Sequence, residues 1–177
     1  ETLMRHARLI RSAAAEDKQL TVATRIDEFS EVTEVTVHTA DHPGLFSRIA
    51  GAMASVGANI VNARVVTLSN GMAMDTFWIQ DANRKAFESP DAQSQIDSAI
   101  EHALSGELKL KQVIEKRPYA LPKRARGMTA APRVLLDNKA STTHTVDEVN
   151  GTARAGLLDR LTRKLAQKNQ QIAAAKM

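Results

Sequence analysis

The spacing of apolar residues along the 177-residue chain predicts alternating helices and strands. Residues 20–26, 32–38, 59–69 and 72–80 are predicted to be strands, and the second of them alternates so that Val35 and Val37 share one face. Recurrence at helical spacing predicts helices at residues 2–16, 45–56 and 90–104. Asn70–Gly71 is the strongest hairpin signal, and Ser89–Pro90–Asp91 has the composition of a helix N-terminus. The resulting order of strand, helix, strand, strand and helix after residue 32 predicts the α+β class, and one more strand would complete a ferredoxin-like βαββαβ unit.

The missing strand has two candidates. Residues 134–138 (VLLDN) can close the first unit, or they can precede a second one. The same ambiguity attaches to residues 20–26, which precede the first unit in a similar place.

A turn and helix occur twice in the chain. When Gly44 is placed over Gly156, six of the 22 positions from this pair to the C-terminus are identical, the glycine pair included. This offset of 112 positions, with strands flanking both turns, indicates a duplication. The second copy ends after its helix and the start of a strand, so it is predicted to be truncated. We expect residues 134–177 to pack on the first copy, to swap with a neighbouring chain, or to be poorly ordered, because half a two-layer unit cannot bury its own face.

Composition divides the chain further. The net charge of +4 comes mainly from residues 109–133, which contain eight Lys and Arg but only one Glu. The prolines of residues 116–133 are typical of a linker. The predicted organisation is an N-terminal helix (1–19), a first domain (20–115), the linker (116–133) and an incomplete second domain (134–177). The chain has no Cys, no apolar run long enough for a membrane span and no signal peptide, which favours a cytoplasmic location. The start without Met predicts a piece of a longer protein.

The motifs DHPGL and GANI, each next to a predicted strand or helix, resemble the ACT domain, a small regulatory ligand-binding module. The stretch VTEVTVHTADHPGLFSRIAGAMASVGANIVNARVVTLSNGMAMDTFWIQD is similar to the first ACT domain of the bifunctional PII uridylyltransferase/uridylyl-removing enzymes. VLLDNKASTTHTVDEVNG followed by GLLDRLTRKL is similar to the entry of their second ACT domain. The resemblance implies one ferredoxin-like ACT unit (βαββαβ), a truncated ACT-like βαβ unit and a regulatory role in nitrogen regulation.

The resemblance also implies partners. They are glutamine as the allosteric effector, the enzyme's own catalytic domains, the PII signal protein and a second ACT domain in an ACT–ACT homodimer. The uridylyltransferase and phosphohydrolase domains, which would use Mg²⁺, are expected outside this piece, so no cofactor and no catalytic residue is predicted within it. The sequence shows neither a Gly-Ser start with paired Asp nor an adjacent His-Asp pair.

The leading candidate for ligand binding is the turn at residues 41–46. Gly44 permits close backbone approach, and the helix N-terminus that follows favours a carboxylate such as that of a free amino acid. Asp41 can take the ammonium group, and Asn59 or Gln171 can reach a side-chain amide. The candidate set is Asp41, His42, Pro43, Gly44, Leu45, Phe46, Asn59 and Ile60 in the first copy, with Gly156, Leu157 and Gln171 in the second. The alternatives are that Asp41 caps the helix, Pro43–Gly44 only turns the chain, and Asn59–Ile60 only starts a strand.

Three other features of the sequence have candidate roles. Trp78 lies on a predicted sheet face that is free to meet another module, so it is a candidate interface residue, and an interaction module without a small ligand is the alternative function. His38 and His42 flank a turn but lack a third ligand, so no metal site is predicted. The basic linker has one aromatic residue, Tyr119, and we predict a solvated tether and not a nucleic-acid site.

Overall fold

The computed structural model describes residues 2–107, 131, 133–150 and 157–177. The chain divides into two compact units, Glu1–Arg117 with Gly156–Met177, and Pro118–Ala155. The described helices are α1 (Thr2–Ala15), α2 (Leu45–Ser55), α3 (Pro90–Ser105) and α4 (Leu157–Ala166). The described strands are β1 (Leu20–Asp27), β2 (Val32–Ala40), β3 (Asn59–Arg64), β4 (Met72–Gln80), β5 (Arg133–Asp137), β6 (Val146–Asn150) and β7 (Ala174–Lys176). The α+β prediction is confirmed, and the linker prediction for residues 116–133 lies almost wholly outside the described residues.

The first unit holds one antiparallel five-stranded sheet in the order β1-β2-β4-β3-β7. β1 occupies the edge beside β2, the position that the closing strand of a βαββαβ unit would take. Only residues 28–31 connect β1 to β2, so bringing these two strands together costs little loop-closure entropy. Residues 133–137 instead pair with β6, so of the two placements predicted for that strand, the one that precedes the second copy is observed.

The core lies between the sheet and the helices α2 and α3. Phe46 of α2 and Phe77 of β4 form its aromatic centre, with ring centroids 5.2 Å apart. The fully buried aliphatic and sulfur-containing side chains around them are Val35, Val37, Ile49, Met53, Ile79, Ile96 and Ile100. α3 begins at Ser89, whose side chain accepts a hydrogen bond from the Ala92 amide at 3.2 Å, and ends at Gly106 with φ +85°. The N-terminal boundary follows the predicted signal, and a glycine in the left-handed conformation is a common helix end.

The opposite face of the sheet meets α1. Arg5 of α1 pairs with the buried carboxylate of Glu34 at 3.1 Å, and Arg25 of β1 pairs with the same carboxylate at 3.2 Å. His38 is buried on this face, and desolvation lowers its pKa. Trp78 lies opposite Glu34 in the register of β2 and β4 and is half-buried. The Trp78 face therefore carries a helix of the same chain, a contact that the sequence did not predict.

The C-terminal segment packs on the first copy. α4 contacts α2, and β7 pairs with β3 so that Ala175 lies opposite Ala63, its counterpart in the repeat. Asn62 pairs with Lys176, the counterpart of Arg64 in the repeat, and Arg64 pairs with Ala174, the counterpart of Asn62. A local two-fold axis therefore relates the two strands. Of the three outcomes predicted for this segment, packing within the chain is the one observed for residues 157–177.

The helix ends of the two copies share one hydrogen-bond pattern. The amides of Val56 and Ala58 donate to the Met53 carbonyl, and those of Lys168 and Gln170 donate to the Leu165 carbonyl. Gly57 and its counterpart Asn169 both have positive φ, +85° and +56°. Asn adopts this left-handed conformation more readily than other residues with a side chain, so the second copy keeps the helix end without glycine.

The second unit contains the hairpin of β5 and β6. All ten of its strand residues are exposed, including Asp147. Asp147, which the 112-position offset places over the buried Val35, is thus an exposed carboxylate, because this hairpin has no helix layer over it within the described residues of its unit.

Candidate functional site

A cleft of about 420 Å³ lies in the first unit between the turn after β2 and the end of α4. One wall comes from the first copy and the other from the second. The first-copy residues that line it are Asp41, His42, Pro43, Gly44, Leu45, Phe46, Ser47, Val65, Thr67 and Asp75, and the second-copy residues are Thr162, Ala166, Asn169, Gln170, Gln171 and Ile172. Its size suits a small polar molecule.

The N-terminus of α2 opens on this cleft. Gly44 precedes the helix with φ +84°, and no side chain caps the first turn. The hydroxyl of Ser47 donates to the Gly44 carbonyl at 2.8 Å, so it does not take up a helix amide. The alternative that Asp41 caps α2 is thereby excluded. The Leu45 amide donates to the His42 carbonyl at 3.1 Å, which leaves the first-turn amides of Phe46 and Ser47, two residues that line the cleft. Together with the positive end of the helix dipole, these amides favour an anionic group there.

Asp41 is exposed at the mouth of the cleft and is held in place by its neighbours. Its carboxylate accepts a hydrogen bond from the Thr67 hydroxyl at 2.6 Å, and its amide donates to the Gly71 carbonyl at 3.0 Å. These contacts tie the ligand-candidate turn to the β3–β4 hairpin. His42 is also exposed, with Nδ1 3.2 Å from the Pro43 carbonyl oxygen.

Asp75 is the one carboxyl group buried in the described wall of the cleft. It lies on β4 opposite Val37, on the helix-facing side of the sheet, and is 1% exposed. Its pKa is raised to about 7, mainly by burial and to a smaller extent by the nearby Asp41 carboxylate, while a hydrogen bond from the Val66 amide acts in the opposite direction. Its Oδ1 has no hydrogen-bond partner in the described structure. A buried oxygen without a partner is costly and marks a place where a ligand donor can bind.

The second-copy wall is polar but uncharged. Thr162 and Ala166 lie on α4, and Asn169, Gln170 and Gln171 follow the helix end. The three amide side chains are exposed, so they are free to exchange donors and acceptors with a ligand amide.

The structure brings part of the predicted site together. The turn residues 41–46 and Gln171 all line the cleft. Asn59 does not, since its amide donates to the Asp81 carbonyl at 3.1 Å and joins the start of β3 to the end of β4. Ile60 belongs to the core, Leu157 is at the start of α4 outside the cleft lining, and Gly156 lies outside the described residues.

Asp75 was missed by the sequence reasoning although the sequence carried a signal. It stands two residues before Phe77 and four before Ile79, so period-two alternation places a carboxylate in the apolar register of β4. A charged residue in such a register is either compensated or functional. Thr67, Asn169 and Gln170 had no comparable signal. Thr67 reaches the cleft from the connection between β3 and β4, and Asn169 and Gln170 reach it because the second copy packs on the first.

Substitution of Gly44 by alanine tests the turn. The added Cβ would meet only Ser47 Oγ, at 3.8 Å, but alanine at φ +84° strains the backbone. We expect unfolding free energy to fall by about 1–2 kcal/mol in denaturant titrations. Gly106→Ala is the matched control, because Gly106 has φ +85° and open space around it, outside the cleft. If both variants lose the same stability and only Gly44→Ala binds ligand more weakly, the turn takes part in binding. If both variants bind ligand equally well, the turn takes no part in binding.

Other chemistry finds no support among the described residues. No group of three or more His, Asp or Glu side chains there is arranged to hold a metal ion. His38 is buried on the sheet face that carries α1, whereas His42 lines the cleft on the other side, so the two do not converge. None of the described helices has the length and apolar character that crossing a bilayer requires.

Known proteins similar to this chain are bifunctional uridylyltransferase/uridylyl-removing enzymes. The enzyme of Azospirillum brasilense is 51% identical over 178 residues, which cover 100% of this chain and 19% of the relative. Those of Gluconobacter oxydans and Rhodospirillum rubrum are 46% and 43% identical over 99% of the chain, and 18% and 19% of the relatives. The chain therefore spans about a fifth of the length of the curated relatives it matches. No protein-family model and no solved structure matches it.

Proposed function

We propose that this chain is the regulatory, amino-acid-sensing region of a bifunctional PII uridylyltransferase/uridylyl-removing enzyme, with two ACT-like copies that bind glutamine between them. The observation that carries the proposal is the cleft itself, since the turn of the first copy faces the helix end of the second across it. The similar proteins indicate which enzyme this region would belong to, and the cleft is the place where a small effector would bind.

The chemistry of the cleft fits a zwitterionic amino acid. The uncapped α2 N-terminus suits its carboxylate, and Asp41 and Asp75 suit its ammonium group. Neither Lys nor Arg is among the described residues that line the cleft, so a ligand with an additional negative charge lacks a counter-charge. The amides of Asn169, Gln170 and Gln171 suit a neutral side-chain amide, which favours glutamine over glutamate.

The cleft can serve regulation because its two walls come from the two copies. A ligand that contacts both walls stabilises the arrangement in which α4 packs on α2 and β7 pairs with β3. It shifts the equilibrium between copy arrangements by its difference in affinity for them. In the intact enzyme, that shift would reach the catalytic domains and set the balance of UMP attachment to and removal from the PII protein. Mg²⁺ would belong to those catalytic domains, and the enzyme would act in the cytoplasm.

Isothermal titration calorimetry with L-glutamine tests the proposal, with L-glutamate and L-asparagine as matched controls. We expect saturable heat with glutamine and at least about tenfold weaker binding of glutamate, because its side-chain carboxylate would lose water among neutral amides, with no Lys or Arg in the described lining to pair with it. Trp78 fluorescence is a secondary readout, since Trp78 lies on the sheet face opposite the cleft. Heat without a fluorescence change is therefore compatible with binding in the cleft.

Absence of binding by every amino acid at millimolar concentration would overturn the proposed function. The chain would then be an interaction module that needs no small ligand. Equal binding of glutamine, glutamate and asparagine would keep an amino-acid site but remove glutamine as its specific effector.

A further inference from the structure

We propose that the carboxyl group of Asp75, and not that of Asp41, is the main acceptor of the α-ammonium group of the bound amino acid, and that binding displaces a proton from Asp75. This inference rests on the proposed function and assigns the residue that recognises the amino group. It also predicts a pH dependence that a site built on an exposed carboxylate would not show.

The two carboxyl groups differ in what they already bind. Asp41 is exposed, and it accepts the Thr67 hydroxyl at 2.6 Å while it fixes the turn. Asp75 is 1% exposed and its Oδ1 has no partner in the described structure. An ammonium group supplies three donors and a positive charge, and a buried carboxylate gains more from both than an exposed one does.

Asp75 is placed so that it can bind the ammonium group while the other groups of the ligand reach their own partners. It lies in the same cleft wall as the first turn of α2, where the ligand carboxylate is expected. The α-ammonium and α-carboxylate of an amino acid are attached to the same carbon atom, so their two acceptors must be close together. A side chain that leaves this carbon can then extend toward Gln171 in the second-copy wall.

The surrounding charges determine how Asp75 titrates. From the turn after β2, Asp41 and His42 face the cleft, whereas the described lining residues of α2, α4, residues 65–67 and residues 169–172 are uncharged. Desolvation, with a smaller contribution from Asp41, raises the pKa of Asp75 to about 7. Without ligand, the carboxyl group is therefore mostly protonated at pH 6 and mostly ionised at pH 8.

An ammonium ligand binds the ionised form, so affinity rises with pH. Ionisation around a pKa of about 7 predicts a roughly tenfold rise in affinity from pH 6 to pH 8. At the lower pH, the proton on Asp75 passes to the buffer as the ligand binds. Calorimetry in buffers of different ionisation enthalpy counts this proton directly.

The test uses the full chain with L-glutamine and with glutaramate, the analogue that lacks the α-amino group. Asp75→Asn keeps the shape of the side chain and removes its charge. We expect this variant to bind glutamine roughly 10- to 100-fold more weakly at pH 8 and to lose both the pH dependence and the proton release. It should also discriminate less between glutamine and glutaramate than the unmodified chain does.

Asp97→Asn is the matched control, since Asp97 is a partly buried carboxyl group on α3 that bonds Thr24 and does not line the cleft. Its glutamine affinity should equal that of the unmodified chain. Glutamine binding that is unchanged in Asp75→Asn, or that shows no proton release in the unmodified chain, overturns the role of Asp75 but leaves the proposed function intact. Failure of the unmodified chain to bind any amino acid overturns the proposed function itself.

Discussion

A chain that ends at Asn150 should lose glutamine binding, with affinity reduced by at least about 100-fold. The shortened chain lacks the second-copy wall of the cleft, from Thr162 to Ile172, and a ligand in the open half-site would keep much of its water. Calorimetric titration at pH 8 measures the loss. The core around Phe77 belongs to the first copy, so we expect the shortened chain to fold, with a lower melting temperature.

A second variant separates loss of the wall from loss of folding. Ala166→Phe fills the cleft from the second-copy side while the rest of α4 is retained. Lys164→Ala, an exposed change on the same helix, serves as its control. Undiminished glutamine binding by both the shortened chain and Ala166→Phe would show that the site does not require the second copy.

Replacement of Asp75 by asparagine should stabilise the chain at neutral and alkaline pH. The pKa of Asp75 is raised from 3.8 to about 7, so the folded chain binds its proton more tightly than the unfolded chain does. The stability of the unmodified chain therefore falls as pH rises from about 4 to about 7, and asparagine does not share this loss. The gain should approach zero at pH 4 and reach at most about 4 kcal/mol above pH 7.

Denaturant unfolding of both chains between pH 4 and pH 8.5 measures this difference without any ligand. Glu28→Gln is the control, because it removes one negative charge from an exposed position. A gain for Asp75→Asn that does not change with pH would mean that the Asp75 carboxyl group ionises normally. A loss of stability at every pH would mean that the carboxyl group has a partner that asparagine cannot replace.

Local signals predicted most of the first copy. The Asn70–Gly71 hairpin joins β3 to β4 as expected, and Ser89 and Gly106 mark the ends of α3. These boundaries depend on the conformational preferences of a few adjacent residues, which a sequence displays directly. The turn at residues 41–46 was found in the same way, because Pro43 and Gly44 specify it.

The remaining features depend on contacts between distant parts of the chain. The 112-position repeat relates Ala63 to Ala175, but it did not show that the two would pair in one sheet. Helix α2 is buried on more than its apolar stripe because both α3 and α4 pack against it. Asn59 was predicted to reach the side-chain amide of a ligand, although its bond to the Asp81 carbonyl, 22 residues away, gives it a structural role.

The crystal structure of the chain grown with L-glutamine would test the central claim most directly. The account predicts one glutamine molecule in the cleft, with its carboxylate at the first turn of α2, its ammonium group on Asp75 and its side-chain amide toward residues 169–171. Glutamine bound elsewhere, with the cleft empty, would contradict the account.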